Sequence, residues 1–125
     1  MPKFAPDGFY DAAFDFVDQA DVMHLCSTLD SSPTYAEVVA ASLADVAVVP
    51  NTDFTKAAGD TSGRKVTVAA KSGITVDVSG SYDHVALVTV SGTVLRYVTT
   101  GTPQALTAGN TANTPAFDIE IQAPA

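Results

Sequence analysis

The sequence predicts a mainly β fold, an antiparallel β-sandwich or barrel-like domain with one N-terminal α-helix. Three observations support this prediction. Hydrophobic residues make up 46% of the chain and are mostly small, and threonine and serine fill much of the remainder, a composition that favours strands. Short apolar runs alternate with Ser-Gly turn signals at 62, 72, 79 and 91, as in antiparallel sandwiches. One early segment has helical spacing. At 125 residues, the chain fits a single domain over residues 1–125.

The predicted helix covers residues 7–20. Asp7 is expected to cap its first turn, and the expected core-facing stripe consists of Phe9, Ala12, Ala13, Phe16, Val17 and Ala20. Acidic residues fall on the opposite side, namely Asp11, Asp15 and Asp18. Tyr10 and Phe14 flank the stripe and widen it, so that they either meet another chain or pack beneath a neighbouring loop.

The strands are expected in seven segments, which read DVMHLCST, ADVAVV, RKVTVAAK, ITVDV, YDHVALVTV, TVLRYVTT and AFDIEIQ. The segment YDHVALVTV is apolar on both faces over residues 85–88, as expected of a central strand. The segment SSPTYAEVVAASL predicts a turn followed by a brief helical or irregular stretch, with Ser32 or Thr34 near its start. The four Ser-Gly pairs are interpreted as turns between strands rather than as parts of a ligand site.

Two polar segments are expected to lack regular structure over most of their length. Residues 52–63 are polar and contain Gly59-Asp60, so they predict a loop that could contact something. Residues 100–115 predict an extended arm in which only residues 104–106 form a short edge strand. Both segments, together with the N-terminal arm MPKFAP, are candidate contact regions.

The charge balance excludes several partners. A net charge of −8 and a pI near 4.2 would repel phosphate backbones and anionic lipids, so we expect no nucleic-acid and no membrane partner. No long apolar stretch predicts a secretory signal or a membrane span. The single cysteine, Cys26, cannot form an internal disulfide, which fits synthesis in a reducing cytoplasm.

The basic residues offer a small candidate patch. Arg64 and Lys65 begin a predicted strand and Lys71 ends it, so they could bind a carboxylate or an acidic chain. The alternative is that they guard an aggregation-prone strand. Arg96 interrupts an apolar strand and is expected to face solvent or a subunit contact, where it could pair with Asp77, Asp118 or Glu120.

Catalytic and metal-binding signals are weak, and we expect neither an enzyme nor a cofactor. His24 and Cys26 would share one strand face, but two ligands are too few for a metal site, and His84 joins them only through an arrangement that the sequence does not specify. The simpler interpretation is a packed cysteine and hydrogen-bonded histidines. No nucleophile elbow, phosphate-binding glycine loop or calcium-binding loop is present.

A family resemblance covers nearly the whole chain. The segments DTSGRKVTVAAKSGITVDVSGSYDHVALV, LRYVTT and QALTAGNTANTPAFDIEI resemble small structural proteins of tailed bacteriophages, and the similarity extends upstream through YDAAFDFV and CSTLDSSPTYAEVVAASLADV. The resemblance implies a virion component, made in the host bacterial cytoplasm, of the kind that decorates or cements capsids. It carries over no catalytic residues.

We therefore expect a non-enzymatic decoration or cement protein on the outer surface of the phage head, since a chain at −8 is poorly suited to face packaged DNA. Its expected partners are the major capsid protein lattice and further copies of itself in a homo-oligomer. The alternative is a glycan-binding module of a tail or fibre, with Tyr35, Tyr82 and Tyr97 as sugar platforms. The candidate contact residues are Phe4, Tyr10, Phe14, Phe54, Arg64, Lys65 and Arg96.

Overall fold

The computed structural model describes residues 4–123 and is mainly β, with 49% of residues in strands and 15% in helices. Two helices and nine strands follow one another in the described range: α1 (Asp7–Val17), β1 (Val22–Cys26), α2 (Tyr35–Ala41), β2 (Ser42–Ala47), β3 (Phe54–Ala58), β4 (Arg64–Val68), β5 (Lys71–Thr75), β6 (Gly80–Thr89), β7 (Val94–Leu106), β8 (Thr111–Thr114) and β9 (Phe117–Ile121). The predicted class, antiparallel β with an N-terminal helix, is confirmed. Met1–Lys3 of the expected N-terminal arm lie outside the described residues.

The strands form three antiparallel sheets. A four-stranded sheet has the order β2-β1-β6-β7, a three-stranded sheet has the order β3-β4-β9, and β5 pairs with β8. All three sheets and α1 contribute side chains to one main core, a sandwich-like arrangement in which the described strands do not close into a barrel. The core thereby places α1 against β4 and β7.

Strand β6 lies inside the four-stranded sheet and is buried on both faces. Val85 and Leu87 point into the main core, whereas Ala86 and Val88 point into a second, smaller cluster that also contains Val38 of α2. The prediction of a central strand is therefore confirmed. The short helix α2 covers this second cluster. Thr34 is the N-cap of α2 and forms a complete capping box, in which its hydroxyl accepts from the Glu37 amide.

Helix α1 is shorter at its C-terminus than expected and begins differently. It ends at Val17, where the Asp18 amide donates to the Phe14 carbonyl. The expected Asp7 cap is wrong: Pro6 occupies the N-cap position without a side-chain hydrogen bond, and Asp7 is the first helical residue. Pro6 already has the extended backbone that precedes a helix, and Asp7 places its charge beside the positive end of the helix dipole.

Two segments that were expected to be irregular over most of their length contain more strand than predicted, although residues 104–106 lie in an edge strand as expected. The expected loop 52–63 contains β3, which pairs along its full length with β4. The expected arm 100–115 contains the second half of β7, which stays paired with β6 through Leu106, and β8, which pairs with β5. Both errors have the same cause: these strands are rich in threonine and small residues, and their partners in the sheet stabilise them more than their own hydrophobicity does.

The Ser-Gly pairs serve as turns at two of the four places. Gly63, between β3 and β4, has a φ of 67°, and a Cβ there would lie 2.0 Å from the Ile121 carbonyl oxygen, so only glycine fits. Ser91-Gly92 forms the turn from β6 to β7. Ser72-Gly73 lies inside β5 at a register irregularity, and Gly80 is the first residue of β6.

Candidate functional site

Helix α1 buries a different face from the one expected. Tyr10, Phe14 and Val17 are buried in the main core, whereas Phe9 and Phe16 are 64% and 48% exposed. The prediction that Phe9 and Phe16 face the core is wrong. Of the two alternatives for Tyr10 and Phe14, contact with another chain is wrong and packing within the chain is confirmed, although they pack in the main core. Neither Tyr10 nor Phe14 is accessible to a partner in this structure.

Ion pairs accompany this orientation of the helix. Asp11 accepts from the Arg64 guanidinium at 3.2 Å, and Lys56 contacts both Asp15 and Asp18. Lys56 and Arg64 lie on β3 and β4, so the acidic side of α1 lies beside the sheet, with Asp18 buried and Asp15 still 63% exposed. Since the acidic and aromatic sides lie on opposite flanks of the buried stripe, turning the acidic flank inward turns the other flank outward.

The flank that faces outward is apolar. We call Phe9, Ala12, Ala13 and Phe16, all exposed, the α1 outer face. Phe9 and Phe16 are two turns apart, about 10 Å along the axis. The Phe9 ring packs edge-on against Tyr10, with centroids 5.4 Å apart, so the core holds this exposed ring in place. Upstream, Phe4 is 83% exposed, which agrees with its prediction as an accessible side chain.

Arg96 borders the α1 outer face. Its guanidinium carbon lies 4.5 Å from the centroid of the Phe16 ring, a cation–π contact, and its Nε donates to Thr89 Oγ1 at 2.9 Å. The expected pairing with a carboxylate is therefore wrong. The arginine stays half-buried beside an aromatic ring because the turn from β6 to β7 brings it to the end of α1.

The predicted basic patch is neutralised within the chain. Besides the pair of Arg64 with Asp11, Lys65 contacts Asp60 at 2.8 Å and Asp118 at 3.2 Å, and Lys71 contacts Asp53 at 2.8 Å. The hydrogen bond from Lys71 is the main cause that lowers the pKa of Asp53. These cations therefore hold strands and loops together. Phe54, expected on an accessible loop, is buried in the core on β3.

Helical spacing predicts that the residues of the α1 outer face lie in the core, whereas the structure exposes them. Two apolar stripes overlap on this helix, and both satisfy helical spacing. What separates them is the position of the basic residues on β3 and β4, which are distant in the sequence. A helix with one apolar stripe too many is a signal for a contact surface, although the spacing alone does not say which stripe is exposed.

The histidines and the cysteine are held in structural contacts. His24 is buried, with Nδ1 2.8 Å from Ser42 Oγ, and burial raises the pKa of Cys26 to about 12. Asp83 accepts from Thr28 Oγ1 at 2.6 Å and lies 2.7 Å from His84 Nδ1. Among residues 4–123, no group of three or more histidine, cysteine or acidic side chains is placed to hold a metal ion.

Stability should fall when the pH drops below 6.5, because of His24. Burial lowers the pKa of His24 from its ordinary value of 6.5, and this effect outweighs the opposing charge of Asp45. Between the two pKa values the unfolded chain binds a proton that the folded chain does not, so the free energy of unfolding decreases as the pH falls. We expect urea unfolding midpoints to be lower at pH 5 than at pH 7.5.

The control for this prediction is His24→Gln, which keeps a polar side chain and removes the titration. Its midpoint should change less than that of the parent chain over the same range. Asp53, Asp83 and Asp118 also have lowered pKa values, but they reduce stability only when the pH approaches and falls below their ordinary pKa of 3.8. An equal slope in parent and variant would contradict the assignment to His24.

A cleft of about 520 Å³ lies between β7 and the connection from β8 to β9. Its walls include residues 99–102 of β7 and Thr114, Pro115, Phe117 and Asp118 on the other side, with Val85 of β6. Strand β7 bulges at the cleft. Tyr82 of β6 pairs with Gln104, and His84 pairs with Thr100, so three residues of β7, 101–103, lie opposite the single residue Asp83. A Cβ on Gly101 would lie 2.0 Å from the Tyr82 hydroxyl, so a larger residue there would have to displace the Tyr82 ring.

The described part of the chain thus offers an exposed apolar helix face and a threonine-lined cleft. Within residues 4–123, no helix has the length and hydropathy needed to cross a membrane. No protein-family model, no curated protein and no solved structure matches this chain. The resemblance to structural proteins of tailed phages stays a prediction from the sequence.

Proposed function

We propose that the chain is a non-enzymatic structural protein of a tailed-phage virion that binds the outer surface of the head and decorates or cements its lattice. The observation that carries the proposal is the α1 outer face. Two aromatic side chains, 64% and 48% exposed, stand two helical turns apart with only alanines between them on that face. Aromatic anchors on a rigid support are the usual centres of binding energy in protein interfaces.

The surroundings of this face favour a protein partner. Arg96 lies against Phe16 and has no carboxylate partner among the described residues, so its remaining donors are available at the rim of the face. Arginine at the rim of an aromatic patch is typical of protein interfaces. The other described basic residues are held in ion pairs, which leaves an acidic surface that would repel packaged DNA. The outside of the head is the location that fits both properties.

The proposed partner is the major capsid protein lattice. A cement protein must gain enough apolar contact with its neighbours to resist internal pressure. Self-association into a small homo-oligomer belongs to the same proposal, because decoration proteins bridge several lattice positions more strongly when they are multivalent.

The test uses purified protein and empty, expanded heads of the phage that encodes it. We expect the protein to cosediment with the heads and to raise the temperature at which they are disrupted. The matched comparison is purified tail tubes from the same phage. Binding to tail tubes alone, or no binding to either particle, would contradict the proposal.

The alternative function is glycan recognition by a tail or fibre component. The three tyrosines that were expected to serve as sugar platforms do not favour it: Tyr82 is buried, and Tyr35 and Tyr97 are half-buried against core clusters. The threonine-lined cleft is the observation in its favour. Head binding and sugar binding are separable measurements, because the α1 outer face and the cleft share no residue.

A further inference from the structure

The cleft between β7 and the β8–β9 connection is rich in neutral hydrogen-bonding groups. Thr99, Thr100 and Thr102 line one wall, and each threonine hydroxyl can donate one hydrogen bond and accept two. Strand β7 is an edge of its sheet, and an edge strand carries backbone amide and carbonyl groups on its open side that no neighbouring strand binds. A molecule in the cleft therefore meets a β7 wall of polar, uncharged groups.

Thr114, on the opposite wall, adds a group that lacks a partner. It is 6% exposed, and its Oγ1 makes no hydrogen bond within residues 4–123. A buried hydroxyl without a partner is unfavourable and is rare in folded proteins. Thr114 lines the cleft, and rotation about χ1 moves its hydroxyl to another staggered position around Cβ. A hydroxyl-bearing ligand would supply the missing partner.

The cleft walls disfavour ligands of other classes. None of the described residues that line the cleft is basic, so the cleft does not favour an anion. Its one carboxylate, Asp118, already accepts from Thr67 and contacts Lys65, so it is not free to bind a cation. An added β-strand needs a regular edge. The bulge at residues 101–103 interrupts that edge, and Pro103 has no amide proton to donate.

The remaining wall is apolar and suits the carbon face of a sugar ring. Phe117 and Pro115 line the cleft beside Val85, and sugar rings stack their C–H groups on such surfaces while their hydroxyls bond to polar neighbours. The volume of about 520 Å³ lies within the range of small-molecule sites.

We propose that this cleft binds a neutral saccharide unit, with the threonine hydroxyls of β7 and Thr114 as hydrogen-bonding partners and Phe117 as the stacking surface. The proposal goes beyond head binding and stands independently of it.

The test is titration of the ¹⁵N-labelled chain with neutral sugars, namely D-glucose, D-galactose, D-mannose, N-acetyl-D-glucosamine and maltose, followed by two-dimensional NMR. We expect at least one sugar to shift amide signals of residues 99–102 and 114–118, with a dissociation constant of about 1–10 mM, as is reasonable for a ligand of this size. The double variant Thr100→Val/Thr102→Val keeps β-branched side chains and removes two hydroxyls. It should weaken binding by about tenfold or more.

Thr75→Val is the matched control, since Thr75 is an exposed strand threonine outside the cleft, and its affinity should equal that of the parent chain. Inorganic phosphate at the same concentration should shift none of the cleft signals. The proposal is overturned if all five sugars leave the spectrum unchanged at about 50 mM, if the shifted residues lie elsewhere, if the double variant binds as tightly as the parent, or if phosphate competes for the cleft. Sedimentation with heads is unaffected by these cleft variants if the two surfaces act separately.

Discussion

Replacement of Phe14 by alanine is expected to lower the free energy of unfolding by about 3–5 kcal/mol, the cost of removing a buried phenylalanine from a packed core. Phe14 is 1% exposed and packs in the main core with Tyr10 and Val17. The surrounding core side chains can relax only partly into the cavity that alanine leaves behind. Urea unfolding followed by circular dichroism measures this loss.

Phe16→Ala is the matched control for this prediction. Phe16 has the same chemistry and lies two positions further along the same helix, but it is half exposed and contacts Arg96 instead of the core. We expect the substitution to cost about 1 kcal/mol or less, the worth of a cation–π contact at an exposed site. Equal costs at both positions, or a larger cost at Phe16, would mean that the helix faces the other way.

Loss of the α1 outer face is expected to abolish most binding to heads. The double variant Phe9→Gln/Phe16→Gln should weaken binding to expanded heads by at least about a hundredfold, because aromatic anchors at the centre of an interface contribute about 2 kcal/mol or more each and act together. The variant should remain folded, since both side chains are exposed and glutamine is a good helix former. Cosedimentation over a range of protein concentrations gives the affinity.

The control for binding is Val39→Gln/Val78→Gln. These two valines are 45% and 53% exposed and lie outside α1, so the variant removes a comparable number of exposed apolar side chains without touching the α1 outer face. Its affinity for heads should stay within about twofold of the parent. If the two double variants lose affinity equally, the exposed hydrophobic residues act without a defined site. If neither loses affinity, the contact lies elsewhere on the chain.

Several features could be predicted from short stretches of sequence. The period-two pattern of AFDIEIQ placed Ile119 in the core, and the run from Val85 to Val88 indicated a strand covered on both faces. Of Ser32 and Thr34, the two residues expected near the start of the short helix, Thr34 is its N-cap. These predictions succeed because each depends on neighbours within one turn or one strand.

Strands β3 and β8 could not be predicted from their own short sequences. Strand β3 reads FTKAA and β8 reads TANT, and neither has enough apolar surface to indicate a strand by itself. Each forms because a partner strand in register supplies its hydrogen bonds, β4 for the first and β5 for the second. The Ser-Gly pair inside β5 misled for the same reason, since a bulge and a turn use the same residues.

The candidate surfaces were the least predictable part of the molecule. Spacing predicted an amphipathic helix with an apolar excess, but the contact residues chosen from it, Tyr10 and Phe14, are buried, and Phe9 and Phe16 are exposed in their place. The cleft is lined by residues of β6, β7 and the region around the β8–β9 connection, which are separate in the sequence, so no local motif predicts it.

Local patterns and composition were sufficient to predict the antiparallel β class, an N-terminal helix beginning near Asp7, the central position of β6 and the acidic net charge, since alternation, helical period and composition are local or additive properties. The packing of sheets and helices sets which apolar stripe of α1 is exposed, which carboxylate each described lysine contacts, and where the cleft lies. Those outcomes depend on contacts between residues about 40 to 60 positions apart, such as Asp11 with Arg64 and Asp15 with Lys56, which exist only after the sheets have packed.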